Sequence, residues 1–232
     1  MYLKGVLHLN NGYNESVLTL ENEENKVVVK KNYYKYIKRI LDIVLSSIGF
    51  IVLLPIFGMI ALCVKLDSRG PVFFKHKRIG KNGKEIYIYK FRTMVKNAED
   101  MIKDFTPEQA KEFRKNYKLK DDPRITKVGK VLRKTSLDEL PQLLNIIKGE
   151  LSIIGPRPVI EEELEKYGDN KKKFLSVTPG LTGYWAANGR SCTSYEERME
   201  LELYYVDKMS FKLDVKILIK TALTVLIRQG AI

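Results

Sequence analysis

The sequence predicts an α+β protein held on one side of a membrane, with an N-terminal re-entrant helix-break-helix, a small β-hairpin or sheet and several amphipathic interfacial helices. Three features predict this class: an uncharged stretch from Ile43 to Val64, a hairpin signal at Asn82-Gly83, and an amphipathic segment at Phe211–Gly230. We therefore expect three regions: a peripheral N-terminal arm (1–34), a re-entrant membrane helix (35–70) and a cytoplasmic catalytic domain with interfacial helices (71–232).

The composition limits the partners of the protein. The chain has 232 residues, of which 44% are hydrophobic, and a formal net charge of +13. That hydrophobic content is typical of a folded protein. The positive charge favours anionic partners: nucleic acid, acidic lipid headgroups or a phosphorylated substrate. The two cysteines and two histidines form no paired motif, so a structural zinc site is not expected.

The N-terminal part of the chain divides into an arm and a membrane segment. Residues 1–34 show no sustained period and no signal-peptide layout, which predicts a poorly ordered or peripheral arm. The uncharged stretch that follows has 22 residues, enough at roughly 1.5 Å per residue to cross a bilayer of about 30 Å. Pro55 stands near its middle and removes a helix hydrogen bond.

Both flanks of this stretch are basic, which favours a cytoplasmic location for each of them. A single span cannot satisfy both flanks. A re-entrant helix that dips into one leaflet and returns at Pro55 satisfies both, so it is the preferred prediction. An ordinary span and a buried core helix are the alternatives.

A hairpin and a charged segment are predicted next. Phe73-Phe74 and the alternating run Ile86–Tyr89 flank Asn82-Gly83, the pattern of a β-hairpin. Residues 95–120 are polar and charged, which predicts an exposed helix.

The C-terminal part contains a short strand and a long amphipathic segment. Ser152–Ile154 is typical of a strand and is ended by Gly155-Pro156. In Phe211–Gly230, lysines recur every four residues on one face, with Leu and Ile on the other. This pattern predicts a helix that lies in the bilayer interface. Packing on the protein's own core is the alternative.

Two adjacent carboxylates, Asp138 and Glu139, lie in KTSLDELPQL, in a chain otherwise rich in Lys and Arg. Ser136 and Glu139 have the spacing of a helix capping box, and Pro141 suits a first helical turn. The free N–H groups of a helix start also bind phosphate oxygens. A carboxylate beside them could act as a nucleophile or hold Mg²⁺, so both interpretations stay open at this point.

Basic residues at turns and at the ends of predicted elements favour a phosphate site. Arg133 precedes the carboxylates, Arg157 lies between two prolines in GPRP, and Arg190 ends PGLTGYWAANGR. Lys90 and Arg92 are two residues apart in YKFRTM, which places them on one face if the preceding strand continues. Each residue alone is a weak signal, whereas several such clusters together favour phosphate binding over a solvated surface.

Together these motifs resemble the bacterial sugar transferases that act on polyprenyl phosphate, the monotopic phosphoglycosyl transferases. The similarity runs from about Lys35 to the C-terminus. It rests on the basic-flanked helix with its central proline, KFRTM, DDPRITKVGKVLRKTSLDELPQL, GPRP and PGLTGYWAANGR. The chain looks like the short form of the family, without the four membrane helices that precede this region in larger members.

The resemblance implies a two-step transfer of a sugar-1-phosphate from a UDP-sugar to undecaprenyl or another polyprenyl phosphate. Asp138 would attack the β-phosphate, form a covalent aspartyl phosphosugar and release UMP. Asp138 and Glu139 would be the catalytic and metal-binding pair for Mg²⁺, with Glu139 the stronger candidate for holding or orienting the ion. Substrate or phosphate would be bound by Lys90, Arg92, Arg133, Arg157 and Arg190.

The same resemblance implies a setting for the reaction. The enzyme would act on the cytoplasmic face of the inner or plasma membrane. It would catalyse the first membrane step of exopolysaccharide, capsule or other glycoconjugate assembly, with the lipid bilayer as a partner. No nucleic acid is expected as a partner. The oligomeric state stays open, with a homodimer among the alternatives.

Two positions depart from the family pattern, and two other classes of protein fit the sequence less well. Leu54 precedes the membrane proline where members often have Ser, and Ala186-Ala187 stand where Gln-Val is common. A conventional glycosyltransferase normally has an Asp-x-Asp metal motif, which the sequence lacks. A nucleic-acid-binding or scaffold protein should interleave aromatics with Lys and Arg, whereas the aromatics here cluster in strand-like or apolar runs.

Overall fold

Helix α1 spans Leu3–Asp67. It continues through Pro55, so the structure does not show the predicted helical break there, and the re-entrant form stays a prediction. It includes the residues for which the sequence predicts a peripheral arm. The computed structural model describes residues 3–116, 119, 121–189 and 193–226, with side chains from residue 33 onward except 114–116 and 225–226. The chain divides into two units, Met1–Leu41 and Asp42–Ile232. The second unit holds the end of α1 and every element after it.

Eight shorter helices and four strands follow α1 in the described part of the chain, in the α+β class that the sequence predicts. The helices are α2 Pro107–Asn116, α3 Lys127–Thr135, α4 Gln142–Lys148, α5 Glu161–Glu165, α6 Lys171–Phe174, α7 Tyr184–Asn188, α8 Tyr195–Lys208 and α9 Phe211–Leu226. The strands are β1 Phe73–Ile79, β2 Glu85–Phe91, β3 Ser152–Ile154 and β4 Gly180–Thr182. Short 3-10 turns lie at Lys81–Gly83, Asp100–Asp104, Leu137–Glu139 and Gly168–Asn170.

Strands β1 and β2 form the predicted antiparallel hairpin. Asn82 and Gly83 in its turn have φ of 58° and 78°, left-handed backbone that Asn and Gly adopt at the lowest cost. The predicted strand at residues 152–154 is confirmed as β3, which pairs in parallel with β4. The single helix predicted for residues 95–120 is wrong, because Pro107 begins a new helix after a separate 3-10 turn.

From Asp42 to Asp67, α1 has one face that packs on the rest of the second unit and one apolar face that is exposed. The packed positions recur at helical spacing: Asp42, Ser46, Phe50, Leu53, Phe57, Ile60 and Val64. On the opposite face, Ile51, Val52 and Met59 are 64–68% exposed. The segment Tyr33–Asp67 is long and apolar enough to cross a membrane, and an apolar surface of this extent is typical of a membrane-associated helix.

Four apolar clusters hold the described part of the second unit together. The first joins α1 to β2 and α3, the second joins the hairpin to α4, the third joins β3 to α7, α8 and α9, and the fourth packs α5 and α6 on α8. Their buried members are, in that order, Phe57, Ile60, Val64, Phe91 and Leu132; Ile86, Ile88, Ile146 and Leu151; Ile154, Ala187, Tyr205 and Ile217; and Val159, Tyr167 and Phe174.

One side of helix α9 packs on the protein's own core, and the other side leaves an apolar edge exposed. Ile217 is buried in the third cluster, and Asp214 accepts a hydrogen bond from the Tyr205 hydroxyl at 2.8 Å. The other side keeps an apolar edge exposed, formed by Phe211, Val215, Leu218, Ile219 and Leu223. The bilayer contact of this edge stays a prediction. Residues 227–230 of the predicted helix lie outside the described residues.

Candidate active site

The two predicted carboxylates lie in the 3-10 turn between α3 and α4. Ser136 ends α3 in left-handed backbone, with φ of 57°, and its N–H bonds to the carbonyls of Leu132 and Arg133. Its side chain makes no capping bond to the turn that follows. The predicted capping box is therefore wrong, because Ser136 closes one helix instead of starting the next.

Apolar side chains on both sides of the dyad fasten this turn to α1. Leu137 and Leu140 pack against the cluster that contains Phe57, Ile60 and Val64 of α1. Pro141 directly after them is fully buried. The position of the dyad is therefore coupled to the membrane-associated helix by direct packing, a contact between residues about 80 positions apart that no local pattern predicts.

Asp138 is a buried carboxylate with only 8% of its surface exposed. Burial raises its pKa to about 6, and the negative charge of Glu139 acts in the same direction. Lys90 and Arg133 oppose this rise by stabilising the ionised form. At neutral pH the carboxylate is therefore mostly ionised yet poorly hydrated, which are the properties of an activated nucleophile.

Glu139 and Arg133 complete the charged surroundings of Asp138. Glu139 Oε1 accepts a charged hydrogen bond from Lys90 Nζ at 2.6 Å. Arg133 extends from the last turn of α3, where its Nε donates to Thr93 Oγ1 at 2.9 Å. The structure thus brings together three of the predicted charged groups around Asp138: Glu139, Lys90 and Arg133.

Asn145, which sequence reasoning missed, aligns α4 with the strand that carries Lys90. It is fully buried, its Oδ1 accepts from the backbone N–H of Tyr89 at 3.0 Å, and its Nδ2 donates to the Tyr87 carbonyl at 2.7 Å. One amide side chain therefore takes the place of a neighbouring strand at the edge of β2. A buried Asn with both amide atoms bonded fixes the distance between two elements, because each unmade bond would be costly.

Arg92 does not join Lys90 at the dyad, because β2 ends at Phe91 and the assumed continuation of the strand fails. Its guanidinium donates to the carbonyls of Val64, Ser68 and Arg69, at 3.2, 2.7 and 2.6 Å. These carbonyls lie at the end of α1, where helix acceptors lack partners in the helix itself. In the structure Arg92 therefore caps α1, and a phosphate contact by this residue stays a prediction.

Two acids of α1 that were not predicted as site residues bind the backbone of the catalytic part. Asp42 Oδ1 accepts from the N–H of Ile153 at 2.9 Å. Asp67 Oδ2 accepts from the N–H of Val128 at 2.9 Å, in the first turn of α3. Since α3 leads directly to the dyad, Asp67 connects the end of α1 to the start of the element that positions Asp138.

Arg157 lies in a second basic cluster and does not contact the dyad. Its backbone N–H donates to Glu202 Oε1 at 3.1 Å, and its guanidinium lies 5.8 Å from the ring centroid of Trp185. Glu202 is almost fully buried, and burial raises its pKa to about 7. Arg190, the remaining predicted phosphate ligand, lies outside the described residues.

Magnesium binding at the dyad stays a prediction, with which the two carboxylates are chemically compatible. Within the described residues, no three His, Cys, Asp or Glu side chains gather into a metal-binding group. Protein sites for Mg²⁺ commonly supply only one or two carboxylates and leave the other positions to water and phosphate oxygens. Asp138 and Glu139, adjacent in one turn, match that donor set.

Comparison with known proteins assigns the family. The family described as "Bacterial sugar transferase" matches residues 33–228. The chain belongs to this family. It is 44% identical over 197 residues to the exopolysaccharide production protein ExoY of Sinorhizobium fredii, a match that covers 84% of this chain and 87% of that protein.

Two longer relatives of this sugar transferase have names that describe a reaction. One is the undecaprenyl-phosphate galactose phosphotransferase of Salmonella typhimurium, 41% identical over 94% of this chain and 46% of the relative. The other is the UDP-glucose:undecaprenyl-phosphate glucose-1-phosphate transferase of Escherichia coli, 37% identical over 85% of this chain and 42% of the relative. The chain thus spans less than half the length of these two proteins. The family match includes the dyad, Lys90, Arg133 and Arg157.

Proposed function

We propose that this sugar transferase moves a sugar-1-phosphate from a UDP-sugar to undecaprenyl or another polyprenyl phosphate and releases UMP. The observation that carries the proposal is Asp138, a buried carboxylate with a pKa of about 6 between Lys90 and Arg133. The names of the relatives support the choice of polyprenyl phosphate as acceptor and of a nucleotide sugar as donor. The name of ExoY supports a link to exopolysaccharide production in the same way.

In the first step, an oxygen of the Asp138 carboxylate attacks the β-phosphorus of the UDP-sugar. The bond from this phosphorus to the bridging oxygen breaks, and UMP leaves with that oxygen and its electron pair. The sugar-1-phosphate is then bound to Asp138 as an acyl phosphate. Attack by an anion on an anion needs cations nearby. Lys90 and Arg133 are the described cations whose charges lower the pKa of Asp138.

In the second step, a phosphate oxygen of the polyprenyl phosphate attacks the same phosphorus. The bond to Asp138 breaks, the carboxylate is restored, and the product is a polyprenyl diphosphate sugar. A carboxylate with a pKa of about 6 is a good leaving group from an acyl phosphate because it departs as a stable anion. In the structure Lys90 Nζ lies 2.6 Å from Glu139 Oε1, next to this carboxylate.

Asp138 and Glu139 are proposed to hold Mg²⁺, which when bound would offset the charge of the diphosphate. The positive charge of Lys90 partly offsets the negative charge of Glu139 and so weakens the attraction of the pair for a cation. The dyad would therefore need the phosphate oxygens of a substrate to bind the ion firmly.

The membrane helix is proposed to be re-entrant, with the dyad at the cytoplasmic face of the inner or plasma membrane. Support comes from the basic residues on both sides of the apolar stretch. Further support comes from Asp42 and Asp67, which flank the stretch and both bind backbone of the catalytic part. The exposed edge of α9 would rest on the same interface.

The product nucleotide tests the proposal. The protein in nanodiscs is given a panel of UDP-sugars with polyprenyl phosphate and Mg²⁺, and UMP and UDP are measured separately. We expect UMP from at least one UDP-sugar and none from Asp138→Asn or Asp138→Ala. Release of UDP would identify a conventional glycosyltransferase, and retained UMP release in both variants would remove Asp138 from the mechanism.

A further inference from the structure

Arg78 on β1 carries a positive charge that no described carboxylate pairs with directly, although Glu163 and Glu162 act on it from a distance and Glu163 is paired with Arg198. It is half-buried, and its guanidinium makes no hydrogen bond or ion pair with any residue in the described part of the chain. The three residues between Gly189 and Thr193, which the structure does not describe, are Arg190, Ser191 and Cys192, so they contain no carboxylate either. A desolvated guanidinium without an acceptor is unfavourable unless a ligand supplies one.

The fold sets Arg78 beside Arg157. The N–H of Ile79 donates to the carbonyl of Val159 at 2.8 Å, which joins β1 to the turn that contains Arg157. Burial, followed by the charge of Arg157, lowers the pKa of Arg78 to about 10. The same desolvation and the neighbouring cations lower the pKa of His76 to about 4, so this imidazole is neutral at physiological pH.

Arg157 is held by its backbone while its guanidinium stays available. Of the residues in Pro-Arg-Pro, only Arg157 has a backbone N–H, and Glu202 accepts its hydrogen bond. The guanidinium itself contacts the face of Trp185 and makes no ion pair with a described residue. Arg198 nearby differs from Arg157 because it is buried and forms an ion pair with Glu163 at 3.2 Å.

We propose that Arg78 and Arg157 together bind one phosphoryl group of a substrate, which makes Arg78 a phosphate-binding residue of this enzyme. Two planar guanidinium groups fixed on neighbouring backbones match the oxygens of a phosphoryl dianion. The proposal rests on the proposed function, which supplies two sources of that chemistry: the diphosphate of the UDP-sugar and the phosphate of the polyprenyl acceptor.

The distance to the dyad allows either source. Lys90, which binds Glu139, pairs with Phe74 in the hairpin, and Arg78 lies four residues further along the same strand. At about 3.3 Å per residue the separation along β1 is about 13 Å. Phe74, His76 and Arg78 alternate onto one face of the strand, so an extended substrate could contact both Arg78 and the dyad.

The test compares Arg78→Gln and Arg78→Lys with Lys77→Gln. Lys77 is the matched control, because it precedes Arg78 on β1, is exposed, faces the other side and pairs with Glu85 at 2.5 Å. KM is measured for the UDP-sugar at saturating polyprenyl phosphate, and for polyprenyl phosphate at saturating UDP-sugar. Loss of one hydrogen-bonded charge contact predicts a rise of about tenfold or more in one KM for Arg78→Gln, a smaller rise for Arg78→Lys, and none for Lys77→Gln.

The two KM measurements distinguish the diphosphate of the UDP-sugar from the phosphate of the polyprenyl acceptor. They also distinguish failure of this inference from failure of the proposed transferase function. A rise in the donor KM assigns the diphosphate, and a rise in the acceptor KM assigns the lipid phosphate. Unchanged KM values for both substrates in an active Arg78→Gln enzyme would overturn the inference while leaving the transferase function intact.

A second measurement does not depend on turnover. Inorganic diphosphate is titrated against the wild type and the three variants, and the unfolding temperature is followed in nanodiscs. The stabilisation is expected to be largest and equal in the wild type and Lys77→Gln, and weakest in Arg78→Gln. Equal stabilisation of all four proteins would contradict a phosphate site at Arg78, even if no UDP-sugar were turned over. Arg78→Lys keeps the charge and serves as the folded variant if Arg78→Gln does not fold.

Discussion

Opposing electrostatic effects act on the Asp138 carboxyl group, and burial outweighs the neighbouring cations. Burial in the turn between α3 and α4 raises the pKa of its carboxyl group, and Lys90 and Arg133 lower it, with a resulting value of about 6. A lower pKa would leave a weaker nucleophile, while a higher one would leave the group protonated at neutral pH. The chemistry proposed for the dyad therefore depends on the cations beside it as much as on the two acids.

Replacing Lys90 by Met is expected to shift the pH dependence of the reaction. The lysine charge lowers the pKa of Asp138, and its loss also removes the ion pair with Glu139 at 2.6 Å. Both changes raise the pKa of Asp138, so the acidic limb of the kcat/KM profile should move to higher pH. Lys148→Met is the control, since Lys148 is exposed and bonds to Tyr89. An unchanged limb in Lys90→Met would show that Asp138 does not govern it.

Glu202 is expected to make the protein less stable as the pH rises. Burial raises its pKa from 4.5 to about 7, so the native state retains a proton that the unfolded chain loses. Stability from this group is full below pH 4.5, falls between about pH 4.5 and 7, and is constant above that range.

Glu202→Gln removes this titration and keeps an oxygen for the Arg157 N–H. The variant should equal the wild type near pH 4.5 and exceed it by about 3 kcal/mol above pH 7. Unfolding temperatures across this pH range measure the difference. A constant difference at all pH values would contradict the protonated native state.

At this scale the sequence predicted the charged groups that the structure brings together, but not the residues that support them. Asp138, Glu139, Lys90 and Arg133 were predicted from clustered acids and bases, and the structure places them together. Asn145 and Glu202 act through backbone groups 45 to 58 residues away. Such contacts exist only after the chain has folded, so no local spacing indicates them.

At the scale of elements, hydrogen bonds connect the C-terminal end of α1 to the catalytic part. Arg92 binds three carbonyls there, and Gly70 next to them has φ of 135°. A Cβ at Gly70 would lie 2.0 Å from Arg92 Nη1, so only glycine leaves room for the guanidinium. Asp67 binds the start of α3 from the same end of the helix.

Arg92→Ala is therefore expected to lower stability more than substrate affinity. The substitution leaves three carbonyls without their donor in a buried place, which should reduce the free energy of unfolding by about 2–4 kcal/mol. The unfolding temperature in nanodiscs and the KM for the UDP-sugar separate the two roles. Lys65→Ala is the control, because Lys65 donates one exposed bond to Gly70 at 3.2 Å. A raised KM at unchanged stability would favour the phosphate contact predicted from the sequence.

Elements were predictable where a local pattern determines them. The hairpin follows from Asn82-Gly83 between apolar runs, and β3 follows from a short apolar run before Gly155-Pro156. The prediction of a capping box at Ser136 and Glu139 was wrong for a physical reason. The same Ser also lies just after an amphipathic helix, and ending α3 in left-handed backbone excludes capping a helix that begins at the next residue.

At the scale of the whole molecule, two exposed apolar surfaces are where we expect the enzyme to contact a membrane. The outer face of α1 and the outer edge of α9 are both exposed, and both belong to the unit that contains the dyad. Packing of Leu137 and Leu140 on α1 keeps the dyad next to the membrane helix. This arrangement would let a soluble UDP-sugar and a lipid phosphate reach one carboxylate.

The accessibility of the two flanks of α1 tests the re-entrant form. Single cysteines are placed at Lys35 and Lys75 in a protein with Cys63→Ser and Cys192→Ser. Each is labelled with a thiol reagent that does not cross membranes, in vesicles of both orientations. A re-entrant helix predicts labelling of both positions from the cytoplasmic side. Labelling from opposite sides would identify an ordinary span.

The mass of the protein after exposure to a UDP-sugar tests the central claim most directly. The wild type is incubated with its UDP-sugar and Mg²⁺ in the absence of polyprenyl phosphate, and its intact mass and peptides are analysed. We expect an increase equal to one sugar phosphate, located on Asp138, that disappears when polyprenyl phosphate is added. Asp138→Asn should gain no mass. UMP release without any adduct in the wild type, or an adduct that persists in Asp138→Asn, would contradict the account.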